Sequence, residues 1–135
     1  MLDIFNAPSR ETCTVRRERT NTPLQALATM NDPQFVEAAR KLAETALEQS
    51  QNDAKKAMAF ITKRVLAREP RGSESEVLRD ALSQFQTFYK AHPEEARKLI
   101  GVGESKPSSA LDPSQLAAVT LVANQILNLD EALNK

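Results

Sequence analysis

Apolar residues recur at spacings of three and four along most of the chain, which is the spacing of one face of an α-helix. Four such stripes follow one another after residue 33, and no sustained alternation of apolar and polar residues supports a β-strand. The stripes are Phe35, Ala39, Leu42 and Ala46; Met58, Phe60, Ile61 and Val65; Leu78, Leu82, Phe85 and Tyr89; and Leu116, Val119, Val122, Ala123, Ile126 and Leu127. The pattern therefore predicts an all-α fold.

Prolines stand where several of these helices are expected to begin. They occur in the pairs Thr22-Pro23, Asp32-Pro33, His92-Pro93 and Asp112-Pro113. Proline suits the first helical position because its missing N–H has no intrahelical partner there and its φ is already helical.

Side chains that can cap the helix starts accompany the prolines. Thr22, Asp32 and Asp112 directly precede a proline, and each can accept a hydrogen bond from a free backbone N–H. Asp53 is expected to cap another helix. Ser73 with Glu76 has the spacing of a capping box, in which each side chain pairs with the other residue's backbone N–H.

Together these signals predict helices near residues 23–30, 33–50, 54–67, 74–91, 94–100 and 113–128, with a final turn at 130–133. We interpret residues 1–135 as one domain, an all-α bundle or array of five to six helices. Residues 1–21 would form an irregular, extended N-terminal arm, and residues 22–135 the helical part. A loop near 101–112 is the candidate flexible connection.

Composition narrows the function classes. The 135 residues contain 18 basic and 18 acidic side chains, so the net charge of zero predicts no nucleic-acid binding. Only three glycines and 4% aromatic residues argue against a β-barrel or sandwich. We expect no membrane insertion, because no apolar stretch approaches about 18 residues. We also expect no signal peptide, because the first residues have no basic region followed by an apolar run, so the chain reads as soluble. The oligomeric state is left open.

Residues for catalysis and metal binding are scarce. Cys13 is the single cysteine and His92 the single histidine, and the chain lacks CxxC, CxxCH and HExxH. His92 precedes a proline and is interpreted as a helix-boundary residue. The sequence therefore predicts no metal, no cofactor and no catalytic residue, and it favours a non-catalytic function over an enzymatic one.

The best polar candidate is a cluster of arginines before the first predicted helix. Arg10, Arg16, Arg17 and Arg19 stand against Glu11 and Glu18, a local excess of two positive charges. One interpretation has these guanidinium groups attach the arm to the bundle. The alternative is that they hold a carboxylate or phosphate beside two helix N-termini. We favour the first.

Two sets of candidate residues follow. The candidates for ligand binding are Arg16, Arg17, Arg19, Asn21 and Asn31. The candidates for the junction and for helix caps are Thr20, Thr22, Asp32, Asp53, Ser73, Glu76 and Asp112.

Three blocks of the chain resemble a known family. "APSRETCTVRRERTNTPLQALATMNDPQFVEAARKLAE", "LAREPRGSESEVLRDAL" and "LDPSQLAAVTLVANQILNLDEAL" are similar, in this order, to the planctomycete domain of unknown function 1553. The first block is long and specific, although "ATMNDP" departs from the family's leucine-rich run before Asn-Asp-Pro.

The resemblance implies a context and no established catalytic residue. It implies a large exported or cell-envelope protein, often with a cytochrome-c-like domain, of which this chain would be the C-terminal part. The expected function is a non-catalytic accessory or interaction domain whose partners are other domains of the same parent protein. The alternative is a subsite for an anionic ligand, such as an acidic or sulfated sugar, completed by a missing upstream region.

Overall fold

The computed structural model describes residues 31–133. This part of the chain contains six helices and no strand, so the all-α prediction is confirmed. The helices are α1 (Pro33–Gln49), α2 (Ala54–Leu66), α3 (Gly72–Ala91), α4 (Pro93–Ile100), α5 (Pro113–Leu127) and α6 (Asp130–Leu133). The predicted helix at 23–30 and the arm at 1–21 lie outside the described residues.

Aspartate side chains cap three of the helices at the predicted positions. Asp32 accepts a hydrogen bond from Gln34 N at 2.8 Å, and Asp112 accepts one from Gln115 N at 2.9 Å. Asp53 Oδ1 accepts from the backbone N–H groups of the second and third residues of α2, at 2.9 and 3.3 Å. Each cap satisfies backbone donors that have no partner inside the helix.

The capping box predicted at Ser73 and Glu76 is wrong. α3 begins at Gly72, earlier than that pattern implies, and Ser73 lies inside its first turn. The carboxylate that reaches back is Glu74, which accepts a hydrogen bond from Arg71 N at 2.9 Å. Glu76 is exposed. The start is shifted because Arg68 also binds Glu74 and so fixes this carboxylate at the head of the helix.

Helix α5 is the centre of the bundle. It packs against α1, α2, α3 and α4, and it is buried on nearly all sides. Its buried Thr120 hydroxyl donates to Leu116 O at 2.7 Å, so the buried polar group is satisfied within the helix. A helix that is apolar all round is typical of a bundle core.

The remaining helices turn one apolar face to this core. All four predicted stripes are buried or half-buried in the structure. Fully buried members include Ala39, Ile61, Leu82 and Val119, at 4% exposure or less. The short turn at residues 50–53 makes α1 and α2 antiparallel neighbours, with Gln51 and Asn52 at positive φ.

Candidate functional site

Most of the predicted ligand-binding residues lie outside the described part of the chain. Arg16, Arg17, Arg19 and Asn21 belong to residues 1–30, as do the predicted junction residues Thr20 and Thr22. Asn31 is described and is exposed beside the first turn of α1. The attachment of the arm by these arginines therefore stays a prediction, and so does the alternative that they hold an anion.

A different polar cluster connects α1 to the loop at 101–112, and we call it the loop clasp. It consists of Glu37, Arg40 and Glu44, which recur at spacings of three and four on one face of α1. The loop side chain that it contacts is Ser105, and backbone groups from Ile100 to Ser108 complete it.

The centre of the loop clasp is the guanidinium of Arg40, which is 0% exposed. One terminal nitrogen donates to Ile100 O at 2.6 Å. The other donates to Ser105 O at 2.8 Å and to Ser105 Oγ at 2.5 Å. Its Nε is the one buried side-chain polar atom without a hydrogen-bond partner among residues 31–133. The three acceptors on Ile100 and Ser105 compensate for the burial of the guanidinium, because an unpaired buried charge is costly.

Glu37 holds the same stretch of loop from the other side. It accepts hydrogen bonds from the Ser105 hydroxyl, from Ser105 N at 2.8 Å and from Glu104 N at 3.1 Å. These bonds, the Ser105 hydroxyl first, lower the pKa of Glu37 from 4.5 to about 2. Arg40 adds a charge interaction, with an N–O distance of 3.6 Å. Glu37 is therefore a poor proton acceptor near neutral pH.

Glu44 completes the clasp further along the loop. It is buried at 6% exposure, and its carboxylate accepts from Ser108 N at 3.0 Å. Lys41 donates to its other oxygen at 3.0 Å. Glu37, Arg40 and Glu44 thus fix the predicted flexible loop against the bundle.

A second cluster surrounds Arg68, between α2 and α3. The guanidinium binds both oxygens of Glu74 at 2.7 and 2.9 Å and both oxygens of Glu131 at 3.0 and 2.8 Å. This arginine lowers the pKa of Glu74 to about 2 and also lowers the pKa of Glu131. In return, the two carboxylates raise the pKa of Arg68. The cluster joins the start of α3 to α6.

An apolar cavity of about 240 Å³ lies beside this cluster, between α2 and α3. Its lining residues are Thr62, Leu66, Ser73, Glu74, Val77, Leu78, Ile126 and Leu129. Val77 is 67% exposed and Leu129 is 44% exposed, and they are two of the three large hydrophobic side chains exposed in residues 31–133. A mixed-charge cleft that includes Asp53 and Arg79 lies further along the same two helices.

Neither cluster has the composition of a metal centre. Within the described residues, no group of three or more histidine, cysteine, aspartate or glutamate side chains could hold a metal ion. The same part of the chain contains no helix that is both long and apolar enough to cross a bilayer.

The loop clasp is not among the sites that the amino-acid sequence predicts. One signal was available, because Arg40 occupies an apolar stripe of α1 between Val36 and Ala43, with Leu47 after them. A charged residue at such a position must be buried or must displace the stripe. Its partners could not be found in this way, since they lie about 60 residues away.

Comparison with protein families gives a match over most of the chain. The family model described as "Protein of unknown function (DUF1553)" matches residues 1–82, which cover the arginine cluster, α1, α2 and the first half of α3. No curated protein and no solved structure matches the chain.

Proposed function

The chain belongs to the family of proteins of unknown function DUF1553, and we propose that within this family it is a non-catalytic helical accessory module. In this proposal the helices are a rigid support, and the arm at residues 1–21 connects them to other domains of the same parent protein. Arg16, Arg17 and Arg19, with Asn21, would organise the junction between arm and bundle.

The proposal rests on one observation: the glutamates whose pKa values are lowered are bound by other groups of the same chain. Carboxylates with shifted pKa values are candidates for catalytic or binding groups. In the described residues, each glutamate with a lowered pKa is bound by the chain's own groups. Glu37 holds the loop, Glu74 and Glu131 bind Arg68, and Glu95 accepts from Lys98 at 2.8 Å. Such pairing is expected of groups that stabilise a fold.

The nature of the parent protein is also part of the proposal. The sequence blocks quoted above resemble those of planctomycete proteins that are exported and that often include a cytochrome-c-like domain. This resemblance supports an exported or envelope-associated parent in which the present chain is the C-terminal part. These 135 residues lack CxxCH, so in this proposal a covalently attached haem would belong to another domain.

Sequencing the transcript that encodes residues 1–135 tests this arrangement, because it gives the full extent of the reading frame. We expect the reading frame to continue upstream into a domain with CxxCH and a signal peptide. The upstream region, prepared separately, is then expected to bind the module in an isothermal titration. A transcript that starts at Met1, or no binding between the two parts, would contradict the proposal.

A second function, an anion-binding subsite, is favoured by one observation. The segment from Arg10 to Arg19 has two more basic than acidic side chains, and planar guanidinium groups bind carboxylates and sulfates with two parallel hydrogen bonds. The missing part of such a site would come from the upstream region, and its ligand would be an acidic or sulfated sugar.

Titration with sulfate and with glucuronate separates the two functions. Arginine side-chain NMR signals are followed at constant ionic strength, with Arg40 as an internal reference because its guanidinium is buried and bonded to the loop. Saturable shifts confined to Arg16, Arg17 and Arg19 would favour the subsite. No saturable shift is expected for an accessory module, and Arg19→Ala is then expected to lower the melting temperature instead.

A further inference from the structure

Residues 129–133 form one wall of the apolar cavity between α2 and α3. Leu129 lines the cavity, and α6 follows it directly. The backbone carbonyl of Leu129 accepts hydrogen bonds from Ala132 N at 2.9 Å and from Leu133 N at 3.1 Å. Leu129 is therefore joined to α6 by backbone hydrogen bonds, and the five residues form one unit that we call the cavity wall.

The packing of the cavity wall against the bundle is slight. α6 contacts α2 and α5 far less than the longer helices contact each other. Ala132 is half-buried against the core, and Leu129 is 44% exposed. Elements that bury little apolar surface are the ones that open locally while the rest of a protein stays folded.

An ion pair attaches the cavity wall to the bundle. Arg68 Nε and one of its terminal nitrogens donate to the two carboxylate oxygens of Glu131, at 3.0 and 2.8 Å. Two parallel hydrogen bonds fix the relative orientation of the two side chains as well as their distance. Arg68 is itself held in place, because its guanidinium also binds both oxygens of Glu74 and the carbonyl of Glu69.

The helix before the cavity wall is capped independently of it. Asn128 N donates to Asn124 O at 3.1 Å, and Asn128 Nδ2 donates to the same carbonyl at 2.8 Å. These bonds satisfy the end of α5 with no group from residues 129–133. The backbone bond that crosses from α5 into the wall, from Leu129 N to Ile126 O, is 3.2 Å long. The wall can therefore separate at Asn128 and leave α5 intact.

We propose that residues 129–133 are a hinged wall of the apolar cavity, kept closed by the Arg68–Glu131 ion pair and able to open while the bundle stays folded. When the wall opens, Leu129 leaves the cavity, and the buried side chains of Leu66 and Ile126 become reachable by small molecules. Exposing apolar surface costs free energy, so the closed form is the populated one.

The attachment is weak enough to open. The Glu131 side chain is 45% exposed and that of Arg68 is 23% exposed, so water and salt screen their attraction. Arg71 and Glu74 also act on the Glu131 carboxylate, with opposite signs, and α5 has no charged side chain. Removing the charge of Glu131 should therefore favour the open form.

Amide exchange and cysteine labelling together test the hinged wall. Glu131→Gln is expected to accelerate amide exchange at Ala132 and Leu133 about threefold or more, with no change at Val119 in the centre of α5. Leu66→Cys, in a Cys13→Ser background, reports on the cavity because position 66 is 4% exposed. Its reaction with iodoacetamide should accelerate by a similar factor when Glu131→Gln is added. If Leu66→Cys does not fold, Leu78→Cys on the opposite side of the cavity is the reporter.

Glu95→Gln is the matched control. Glu95 also accepts from a cation at 2.8 Å and is 50% exposed, but its partner Lys98 lies in the same helix. This control should change neither readout. The proposal is overturned if Glu131→Gln leaves both rates unchanged, or if amide exchange accelerates while the cysteine stays protected. Equal acceleration at Val119 would also overturn it, because the whole bundle would then be opening.

The inference goes beyond the accessory function and does not depend on it. It concerns contacts among residues 68–133. The wall should open whether or not an upstream region binds the module, so the two experiments can fail separately.

Discussion

At the scale of single residues, the most consequential side chain of the described structure is Arg40. It is fully buried, and it connects α1 to two carbonyls and one hydroxyl of a distant segment. Removing one partner of a buried charged network leaves the others without hydrogen bonds in a poorly solvated place, which costs more than losing a surface ion pair. Arg40 therefore has a structural role that its charge alone would not suggest.

Arg40→Met is expected to lower the free energy of unfolding by about 3 kcal/mol, since the acceptors at Ile100 and Ser105 lose their buried donor. Urea unfolding followed by circular dichroism measures the change. Arg97→Met is the control, because Arg97 is exposed and its pairing with Glu94 is loose at 3.8 Å. That control should change stability by less than about 0.5 kcal/mol. A similar small effect for Arg40→Met would refute its structural role.

The lowered pKa of Glu37 predicts that the folded chain loses stability in acid. Its pKa is about 2 in the folded chain and 4.5 in the reference state, so its contribution is complete above 4.5 and is lost as the pH falls towards 2. The melting temperature should decrease over this range, and Glu37→Gln should reduce the decrease. Part of the decrease should persist, because Glu74 and Glu131 also have lowered pKa values.

Glu48→Gln, at an exposed position of the same helix, is the matched control for the pH experiment. Its melting temperature should follow the pH in the same way as the unmodified chain. If Glu37→Gln also behaved like the unmodified chain between pH 4.5 and 2, Glu37 would not be the group that senses acid there.

At the scale of elements, the loop at 101–112 is fixed to α1 by hydrogen bonds from its backbone and from Ser105. It contains no regular structure, yet Ser105 and Ser108 donate backbone hydrogen bonds to carboxylates of α1. Gly103 allows this approach because its φ is +100° and because its α-carbon passes close to Glu37. Glycine tolerates such a backbone conformation, and other residues do so at a cost.

Gly103→Ala should destabilise the chain by about 1–3 kcal/mol, because the backbone is strained for alanine and the new methyl group would overlap the Glu37 side chain. Gly72→Ala provides the comparison. It lies at the start of α3 and has no atom within 4 Å of the new methyl group, so it should be neutral or stabilising by about 0.4–1 kcal/mol. Thermal and urea unfolding measure the stability of both variants. Equal effects would contradict the requirement for glycine at position 103.

At the scale of the whole molecule, α5 is the common packing partner of the other helices. Four helices pack against it, and the polar clusters join the remaining parts at the periphery: the loop clasp joins α1 to the segment before α5, and Arg68 joins α3 to α6. Such an arrangement has no boundary at which one half could unfold independently. The single-domain prediction for residues 1–135 leads to the same expectation.

Unfolding in urea should therefore be one cooperative transition. The chain has one tyrosine and no tryptophan, so intrinsic fluorescence reports only on Tyr89, which is buried near the end of α3. Circular dichroism reports on all helices. The two midpoints should coincide, with a slope of about 1–3 kcal/mol per molar urea. Midpoints that differ clearly would show a partly folded intermediate and would contradict a single domain.

Local signals in the sequence were sufficient to predict the helices of residues 31–133. Apolar spacing and proline caps depend on residues within one or two turns of each other, so helix bounds such as Pro33–Gln49 could be predicted almost to the residue. The error at Ser73 arose because two capping patterns overlap, and the choice between them depended on Arg68 as well as on local spacing.

The amino-acid sequence by itself thus determined that residues 31–133 are helical, where most of the helices in this range begin and which of their faces are apolar. The tertiary structure alone decided the pairing of Arg40 with Ser105, the placement of α5 at the centre and the apolar cavity between α2 and α3. The physical reason is distance along the chain. Helix periodicity and caps act over a few residues, whereas a buried guanidinium finds its acceptors 60 residues away only after the helices have packed.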